Sequence, residues 1–380
     1  MRVAHVCYFF DPDIPSPDDL LERYQTLTGV AEGIRRAGSD VVVVQRFHAD
    51  ATVERGGVEY RFVRDPCRRA GSLFDSAARV NRAAAACRPD LVHVHGLPFA
   101  RQAARLRRLI DVPILIQDHA NRPPARGIDA ASLRRAFESI DMATFAAVEQ
   151  AMPWGERGII GSRPVIAELM EGSSRFHPME QAIARRRTGR DGNPLCLWVG
   201  RLNANKDPLT ALEGFALAAA DLPNARLLMV YHESPLLRPV EEWLADHPRI
   251  TNRIAMIGRV DHDELEWLCN SADLYLSASH REGSGYALLE ALSCGLTPAV
   301  TDIPSFRVLT DNGRFGPLWT HGDPDSCARA ILAANARRSP AARARIRDHF
   351  EENFSFDAIG ARAVELYAGM VTHCRSRAFA

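Results

Sequence analysis

The chain has almost no lysine: 47 of its residues are basic, but only Lys206 is a lysine, and all the others are arginine. The 47 acidic residues balance this charge, so no global electrostatic attraction to nucleic acid is expected. No apolar run approaches the ~18 residues that a membrane-spanning helix requires, and the apolar stretch at the start is too short for a signal peptide. These absences predict a cytoplasmic protein that binds no nucleic acid.

Paired cysteine motifs are also missing. The eight cysteines are scattered along the chain, none forms a C-x-x-C pair, and several lie in apolar segments. Because metal sites and disulfide frameworks usually show recognisable cysteine spacings, this distribution favours reduced structural thiols.

The length of 380 residues fits two domains of ~100–200 residues each. Strand-like and helix-like segments alternate, and the apolar strands lack strict alternation, which is typical of parallel strands covered by helices on both faces. We therefore predict an α/β fold of two Rossmann-like, doubly wound parallel-sheet domains. The predicted strands span residues 3–10, 41–44, 58–63, 91–95, 112–117, 164–167, 195–199, 226–231, 254–257, 274–276 and 297–300, and the predicted helices residues 18–37, 74–87, 208–220, 239–245 and 262–269.

The single lysine lies in a loop that leaves an apolar strand. It follows Arg201 by five residues in the run Gly200-Arg201-Leu202-Asn203-Ala204-Asn205-Lys206. A compact ammonium beside a planar guanidinium suits a phosphate group, which accepts bonds from both. A single lysine must fall somewhere, so chance placement is the alternative, and only the context of the motif decides between them.

A second motif supplies that context. A short strand at residues 272–277 is followed by Glu282, the run Gly283-Ser284-Gly285-Tyr286, and a helical pattern that contains Glu290 and ends at Gly295. The N–H groups of Ser284, Gly285 and Tyr286 would stand at a helix start, where backbone amides and the helix dipole favour an anion. The two carboxylates would repel a phosphate but can accept hydrogen bonds from the hydroxyl groups of a sugar or a ribose.

With these two motifs the chain resembles a family 4 glycosyltransferase, a retaining enzyme of the GT-B architecture, in which two Rossmann-like domains face each other across a cleft. The resemblance implies that Gly200, Arg201 and Lys206 bind the donor diphosphate. It implies that Glu282 contacts the hydroxyls of the transferred sugar and that Glu290 contacts the ribose.

The same resemblance extends to main-chain groups. It implies that residues 283–285 contact the sugar and phosphate and that the chain near Val260 contacts the nucleobase. Ser284 stands where the family usually has phenylalanine. Because backbone contacts do not need that ring, this departure bears on donor preference more than on the fold.

The domain boundary is predicted in the turn-rich stretch at residues 171–178. We expect an N-terminal acceptor-binding domain at residues 1–177 and a C-terminal nucleotide-sugar-binding domain at residues 178–355. By resemblance, the last helix, from residue 356, returns to the N-terminal domain, which therefore also includes residues 356–380.

Histidines carry the signal in the first half. His119 follows a predicted strand, where family members place a histidine against the donor sugar; a loop histidine bonded to backbone is the alternative. Its neighbour Asp118 would either orient the ring or cap the next turn. His93 is expected to be a buried, hydrogen-bonded structural residue, whereas for His95 a structural role and a ligand-binding role both stay open.

The resemblance implies transfer from a UDP- or GDP-linked sugar to a hydroxyl of a glycan, lipid-linked or small-molecule acceptor. The anomeric configuration would be retained, with the leaving phosphate helping to take the acceptor proton. No cofactor and no metal are expected, because Arg201 and Lys206 already serve the diphosphate. A nucleotide-sugar epimerase on the same scaffold and a non-catalytic nucleotide-sugar-binding protein are the alternatives.

Four arginines form a cluster in the acceptor half, at Arg101, Arg105, Arg107 and Arg108. A solvated helix face is the expected reading. Peripheral contact with an anionic membrane surface is the alternative, since each basic residue there contributes ~1 kcal/mol of attraction. The sequence makes no prediction of the oligomeric state or of the role of the loop at residues 11–17.

Overall fold

The computed structural model describes residues 1–67 and 70–378, with side chains described to residue 374. The chain divides into two units: Met1–Ser173 with Phe354–Ala380 form the first, and Ser174–Asn353 form the second. Where boundaries after residues 177 and 355 were predicted, the divisions fall after residues 173 and 353.

The first unit contains an eight-stranded sheet in the order β3-β4-β2-β1-β5-β6-β7-β8. Every neighbouring pair except β3 and β4 is parallel. Strand order reverses between β1 and β5, the kind of switch point at which open α/β sheets bind ligands. The strands are β1 (Arg2–Cys7), β2 (Asp40–Phe47), β3 (Ala51–Arg55), β4 (Val58–Arg64), β5 (Leu91–His95), β6 (Ile114–Gln117), β7 (Met142–Phe145) and β8 (Val165–Glu168).

The second unit contains a six-stranded, fully parallel sheet in the order β11-β10-β9-β12-β13-β14. Its switch point lies between β9 and β12, which pair directly although β10 and β11 come between them in sequence. Trp198, Phe215 and Ile331 pack in its core. The strands are β9 (Leu195–Val199), β10 (Arg226–Val230), β11 (Ile254–Gly258), β12 (Leu274–Ser277), β13 (Thr297–Thr301) and β14 (Leu318–Trp319).

Helices follow most of the strands, and the predicted α/β fold class of two parallel-sheet domains is confirmed. Short 3-10 turns occur at Leu97–Phe99 and Val148–Ala151. The helices are α1 (Pro17–Arg23), α2 (Gln25–Arg36), α3 (Ala78–Ala86), α4 (Ala100–Leu106), α5 (Ile128–Phe137), α6 (Met152–Glu156), α7 (Gln181–Thr188), α8 (Pro208–Ala218), α9 (Leu237–Asp246), α10 (Pro248–Thr251), α11 (His262–Ser271), α12 (Tyr286–Ser293), α13 (Pro304–Leu309), α14 (Pro324–Ala336), α15 (Pro340–Asn353) and α16 (Phe356–Ala378).

Two local predictions are corrected in the first unit. The helix predicted at residues 18–37 is two helices, α1 and α2, which meet at Tyr24, where ψ is 58° and the backbone leaves the helical region. The first sheet is not wholly parallel, because β3 and β4 form an antiparallel hairpin. Its turn is Gly56-Gly57, with φ values of 59° and 73° that suit a type I′ turn.

The last helix, α16, packs against α2 at a glycine crossing. A Cβ added to Gly33 would lie 2.1 Å from the carbonyl oxygen of Phe356, and one added to Gly360 would lie 2.3 Å from the carbonyl carbon of Gly33. The two backbones can approach this closely only because neither residue has a side chain. Glycine therefore sets how α16 joins the first unit.

Candidate active site

The two predicted motifs meet at the switch point of the second sheet. One loop follows β9 and carries Lys206, and the other follows β12 and carries Glu282. Because adjacent parallel strands end at the same edge of a sheet, their loops emerge side by side. Lys206 Nζ donates a hydrogen bond to Glu282 Oε1, and both side chains are largely buried, with exposed fractions of 22% and 13%.

Three further hydrogen bonds link these loops. The His280 amide donates to the Asn205 carbonyl at 2.8 Å, and Asn205 Nδ2 donates to the Arg281 carbonyl at 2.9 Å. His280 Nε2 lies 2.9 Å from Asp207 Oδ2, while Asp207 Oδ1 accepts from the Thr210 amide and caps α8. We call residues 203–207 and 280–282 the cross-linked loops; their hydrogen bonds fix where Lys206 and Glu282 lie.

Gly200 lets the lysine stem lie flat against the backbone. A Cβ at this position would lie 3.3 Å from both Cγ and Cδ of Lys206 and 3.2 Å from the Trp198 ring. Such contacts are tighter than normal packing, so a side chain here would require the Lys206 stem or the Trp198 ring to shift by a few tenths of an ångström. The predicted Gly200 and Lys206 thus act together through packing.

Arg201 has a different partner from Lys206. Its Nε lies 3.4 Å from Glu233 Oε2 in the loop after β10, and its side chain is 54% exposed. The structure therefore brings Lys206 and Glu282 together but pairs Arg201 with Glu233, a carboxylate outside both predicted motifs.

The glycine turn leads into α12 as predicted from the sequence. Gly283 and Ser284 are buried, Gly285 caps the helix with φ of 77°, and Tyr286, which is 41% exposed, begins it. These residues directly follow Glu282 in the cross-linked loops.

Glu290, in the second turn of α12, has a histidine partner. Its Oε1 lies 2.9 Å from Nε2 of His262, the first residue of α11. The hydrogen bond to this carboxylate raises the pKa of His262. The sequence does not mark His262 as a site residue, because it belongs to neither of the two predicted motifs. Val260, two residues before it, follows the edge strand β11, which is separated from β9 by β10.

In the first unit, His119 stands after β6 and contacts two side chains. Its Nδ1 lies 2.9 Å from Glu171 Oε2, and its Nε2 lies 3.1 Å from His95 Nδ1. These partners contradict the alternative of a loop histidine bonded to backbone. Asp118 accepts from the Asn121 amide at 3.0 Å, so Asp118 caps the turn and Glu171 orients the ring. No sequence signal marks Glu171, because it begins the turn-rich stretch at residues 171–178 in which the domain boundary is predicted.

His93 has the structural role that its position predicted. It is fully buried, its Nδ1 lies 2.6 Å from the Tyr367 hydroxyl, and its Nε2 lies 3.2 Å from Gln117 Oε1. Nitrogens of His5, His93 and His95 lie within 4.8 Å of one another, as in some metal sites. Every ring nitrogen of the three is already within hydrogen-bond distance of a protein group, so we interpret them as a hydrogen-bonded cluster.

The arginine cluster on α4 and just after its end is not a solvated face, which corrects the expected reading. Arg101 is buried and donates to the Gly71 carbonyl at 2.8 Å, Arg105 donates to the Leu73 carbonyl at 3.0 Å, and Arg107 pairs with Asp141. Of the four arginines, Arg108 alone is exposed. These guanidinium groups hold loops of the first unit in place.

All eight cysteines are unpaired, and six of them are buried. None of the helices in the described part of the chain combines the length and apolar character that crossing a bilayer requires.

Two family models match the chain. Residues 25–154 match the model described as "Glycosyl transferase 4-like domain", and residues 180–349 match the model described as "Glycosyl transferases group 1". With the two parallel-sheet units, these matches define a glycosyltransferase of the GT-B fold. The chain belongs to the family 4 glycosyltransferases, as its motifs predicted.

Individual relatives of the chain are named as glycosyltransferases too. The chain is similar to a phosphatidyl-myo-inositol mannosyltransferase of Propionibacterium freudenreichii, with 27% identity over 73% of this chain and 70% of the relative. It is also similar to a GDP-mannose:cellobiosyl-diphosphopolyprenol alpha-mannosyltransferase of Xanthomonas oryzae, with 23% identity over 83% of this chain and 82% of the relative. Sucrose-phosphate synthase of Thermosynechococcus elongatus shares the fold, with a TM-score of 0.69 and 18% identity over 98% of this chain and 99% of that one.

Proposed function

We propose that this glycosyltransferase is a retaining enzyme that moves a hexosyl group from a nucleoside-diphosphate sugar to an acceptor hydroxyl. The observation that carries the proposal is the Lys206–Glu282 pair, held by the cross-linked loops at the switch point of the second sheet. A cation for phosphate and a carboxylate for sugar hydroxyls are adjacent there, and the diphosphate and the sugar are adjacent in such a donor.

Each group then has a distinct task. An ammonium has three donor hydrogens, so Lys206 can keep its bond to Glu282 and still donate to a phosphate oxygen. Arg201 and the amides of residues 284–286 add further positive potential near the same phosphate. As the bond from the anomeric carbon to phosphate breaks, negative charge grows on the phosphate oxygens, and fixed donors stabilise that charge.

The transfer proceeds on one face of the sugar. The bond from the anomeric carbon to the phosphate oxygen breaks, a bond to the acceptor oxygen forms on the same face, and the acceptor proton passes to the leaving phosphate. Glu282 holds the sugar hydroxyls and Glu290 the ribose. The diphosphate charge is met by side chains and amides, so the reaction proceeds without a metal ion.

The relatives suggest which substrates to test first. Two relatives are named for GDP-mannose, so GDP-mannose leads the donor panel and UDP-linked hexoses follow. Two relatives are named for lipid-containing acceptors, phosphatidyl-myo-inositol and a diphosphopolyprenol glycan, so a lipid-linked acceptor is the first class to test.

Thermal-shift titration with GDP, UDP and their sugars tests donor binding, because a ligand at 100 times its Kd stabilises the folded chain by ~2.7 kcal/mol. Incubation with the matching donor alone should then release the nucleoside diphosphate slowly. An epimerised sugar nucleotide would contradict the proposal in favour of an epimerase. With an acceptor present, a product of inverted anomeric configuration would contradict retention.

A further inference from the structure

Seven side chains of the first unit form one continuous line of hydrogen bonds, which we call the histidine chain. Its members come from β1, β5, the ends of β6 and β8, and α16. In order they are Glu171, His119, His95, His5, Tyr367, His93 and Gln117, joined by contacts of 2.9, 3.1, 2.9, 3.3, 2.6 and 3.2 Å.

Both ends of the histidine chain are hydrogen-bond acceptors. Glu171 presents a carboxylate oxygen to His119. At the other end, Gln117 Nε2 donates to the Leu169 and Met170 carbonyls at 3.2 and 3.3 Å, so its Oε1 faces His93. The reverse amide orientation would place Oε1 against two carbonyl oxygens, which would repel it. The amide orientation is therefore determined by its backbone partners.

A chain with acceptors at both ends needs one extra proton. Each neutral imidazole and the tyrosine hydroxyl can donate one hydrogen bond along the line and accept one. The four imidazoles and one hydroxyl therefore provide five protons, while the six contacts between Glu171 and Gln117 need six. One histidine must consequently hold a proton on both ring nitrogens, or Glu171 must share that proton with its neighbour.

The surroundings decide which histidine holds the extra proton. His5 and His93 are fully buried with no carboxylate partner among their hydrogen bonds, so an imidazolium there would be an uncompensated charge. His119 has Glu171 at 2.9 Å. We propose that the histidine chain holds His119 as an imidazolium. Glu171, Tyr367 and Gln117 are positioning residues, because their hydrogen bonds keep this ring protonated.

The electrostatics of the individual rings agree with this placement. Burial lowers the pKa of His5, to about 3, and lowers the pKa values of His93 and His95 as well. Burial also opposes a charged His119, but the attraction and hydrogen bond of Glu171, with a contribution from Asp118, outweigh it and raise the pKa of His119. Among the described residues, the titratable groups that interact with this ring are Glu171, Asp118, His95 and His93.

An imidazolium with both nitrogens committed cannot act as a base. Donation to Glu171 and to His95 uses both N–H groups of His119, yet its side chain is 35% exposed. The ring can then offer a ligand positive charge from its exposed edge. This last role rests on the proposed glycosyl transfer, whereas the protonation state does not.

Nitrogen-15 NMR of protein labelled at its 13 histidines tests the protonation state directly. We expect His119, assigned by the loss of its signals in His119→Asn, to show two protonated ring nitrogens at pH 7, while His5, His93 and His95 stay neutral. Glu171→Gln should convert the imidazolium signals to those of a neutral ring, and Glu171→Asp should restore them. A neutral His119 in the wild type would overturn the proposal.

Tyr367→Phe tests the chain itself, because Tyr367 does not contact His119. Without the hydroxyl, the line from Glu171 ends at His5, and three neutral imidazoles satisfy its three contacts. The pKa of His119 should therefore fall below its wild-type value. Gln117→Met removes the distant acceptor and should do the same, which covers the case in which Tyr367→Phe fails to fold. Tyr8→Phe, at a buried tyrosine bonded to Asn81 outside the chain, should have no effect.

An unchanged pKa of His119 in both Tyr367→Phe and Gln117→Met would show that only the local pair with Glu171 operates, and the histidine chain would be refuted. Because the readout is the spectrum of the free protein, it holds whether or not a donor and acceptor have been found. Failure of the proposed function and failure of this inference are thus distinguishable.

Discussion

Lys206 and Glu282 are joined by a hydrogen bond although 76 positions separate them in the chain. The pair links the only lysine to the first carboxylate of the glycine turn. Solvent screens neither charge fully, since both side chains are mostly buried. The pair therefore orients two groups that the proposed donor would engage together.

Substitution of Lys206 should lower activity more than it lowers stability. We expect Lys206→Ala to reduce kcat by ~10²–10³, because a charge aimed at the leaving phosphate is lost. Lys206→Arg should recover part of that loss. Arg238→Ala, at a side chain that is 87% exposed, is the control and should leave kcat unchanged. Equal kcat values for Lys206→Ala and the wild type, measured at saturating donor, would exclude the assigned role.

His280 should act as a positioning residue through Asp207. His280→Ala removes the 2.9 Å contact that helps to hold the cross-linked loops, so we expect kcat to fall with a smaller change in KM. The cost in unfolding free energy should be ~1 kcal/mol, as for one lost hydrogen bond. His280→Gln can still donate to Asp207 and should recover activity. If the alanine and glutamine variants lose activity equally, the contact with Asp207 is not what matters.

The buried histidines should make the protein acid-sensitive. A group whose folded pKa lies below its unfolded value stabilises the fold above the unfolded value, ~6.5 for histidine, and this stability is lost as the pH falls. His5, His93 and His95 act in this direction at ~1.4 kcal/mol per pH unit each once the unfolded rings are protonated.

Two groups oppose this trend. The pKa of Asp118 is raised to about 6 by burial and by Glu171, so this carboxyl stabilises the fold as the pH drops below that value. The pKa of His119 is raised, so its contribution is complete below ~6.5 and is lost at higher pH. Near pH 5, unfolding lets His5, His93 and His95 each bind a proton, whereas Asp118 releases one. We therefore expect calorimetry in buffers of different ionisation heat to show net proton uptake on unfolding. Net release at that pH would contradict the assignment of neutral rings.

The helix crossing at Gly33 should tolerate no side chain. Gly33→Ala would place its Cβ 2.1 Å from a backbone oxygen, so α16 must shift. We expect a loss of ~1–3 kcal/mol in unfolding free energy, as in other overpacked sites. Gly369→Ala, on the open face of α16, is the matched control and should be neutral or stabilising. Equal denaturation midpoints for the two variants would show that the crossing is looser than described.

Chelation should leave the reaction intact. If Arg201 and Lys206 meet the diphosphate charge, EDTA treatment should not change kcat, whereas Arg201→Ala should lower it. Loss of activity on chelation that returns with one added divalent cation would instead assign that charge to a metal.

Much of the fold was predictable because its signals are local. The strand at residues 195–199 was predicted to the residue, since an apolar run is bounded by Pro194 and Gly200. The strand Met142–Phe145 was missed, because its alanine-rich surroundings resemble a helix and only pairing with β6 and β8 makes it a strand. The Gly56-Gly57 dipeptide is a local hairpin signal, and it marks the turn between β3 and β4.

The candidate site was predictable where it follows strand ends. The proximity of Lys206 and Glu282 was predictable from the sequence, because each follows a strand of the same parallel sheet. The roles of Glu171 and His262 were not predictable, since each contacts its partner only through tertiary packing and neither belongs to a spaced motif. The histidine chain has the same origin: alternation put His93 and His95 on one face of β5, but Tyr367 arrives from the far end of the sequence.

The placement of α16 has a consequence for biosynthesis. Because Phe354–Ala380 belong with Met1–Ser173, the second unit is an insertion within the first. The ribosome therefore synthesises every residue of the second unit before it synthesises α16, the helix that completes the first unit. The first unit is therefore begun before the second and completed after it, and its α2 surface stays uncovered until α16 has been synthesised.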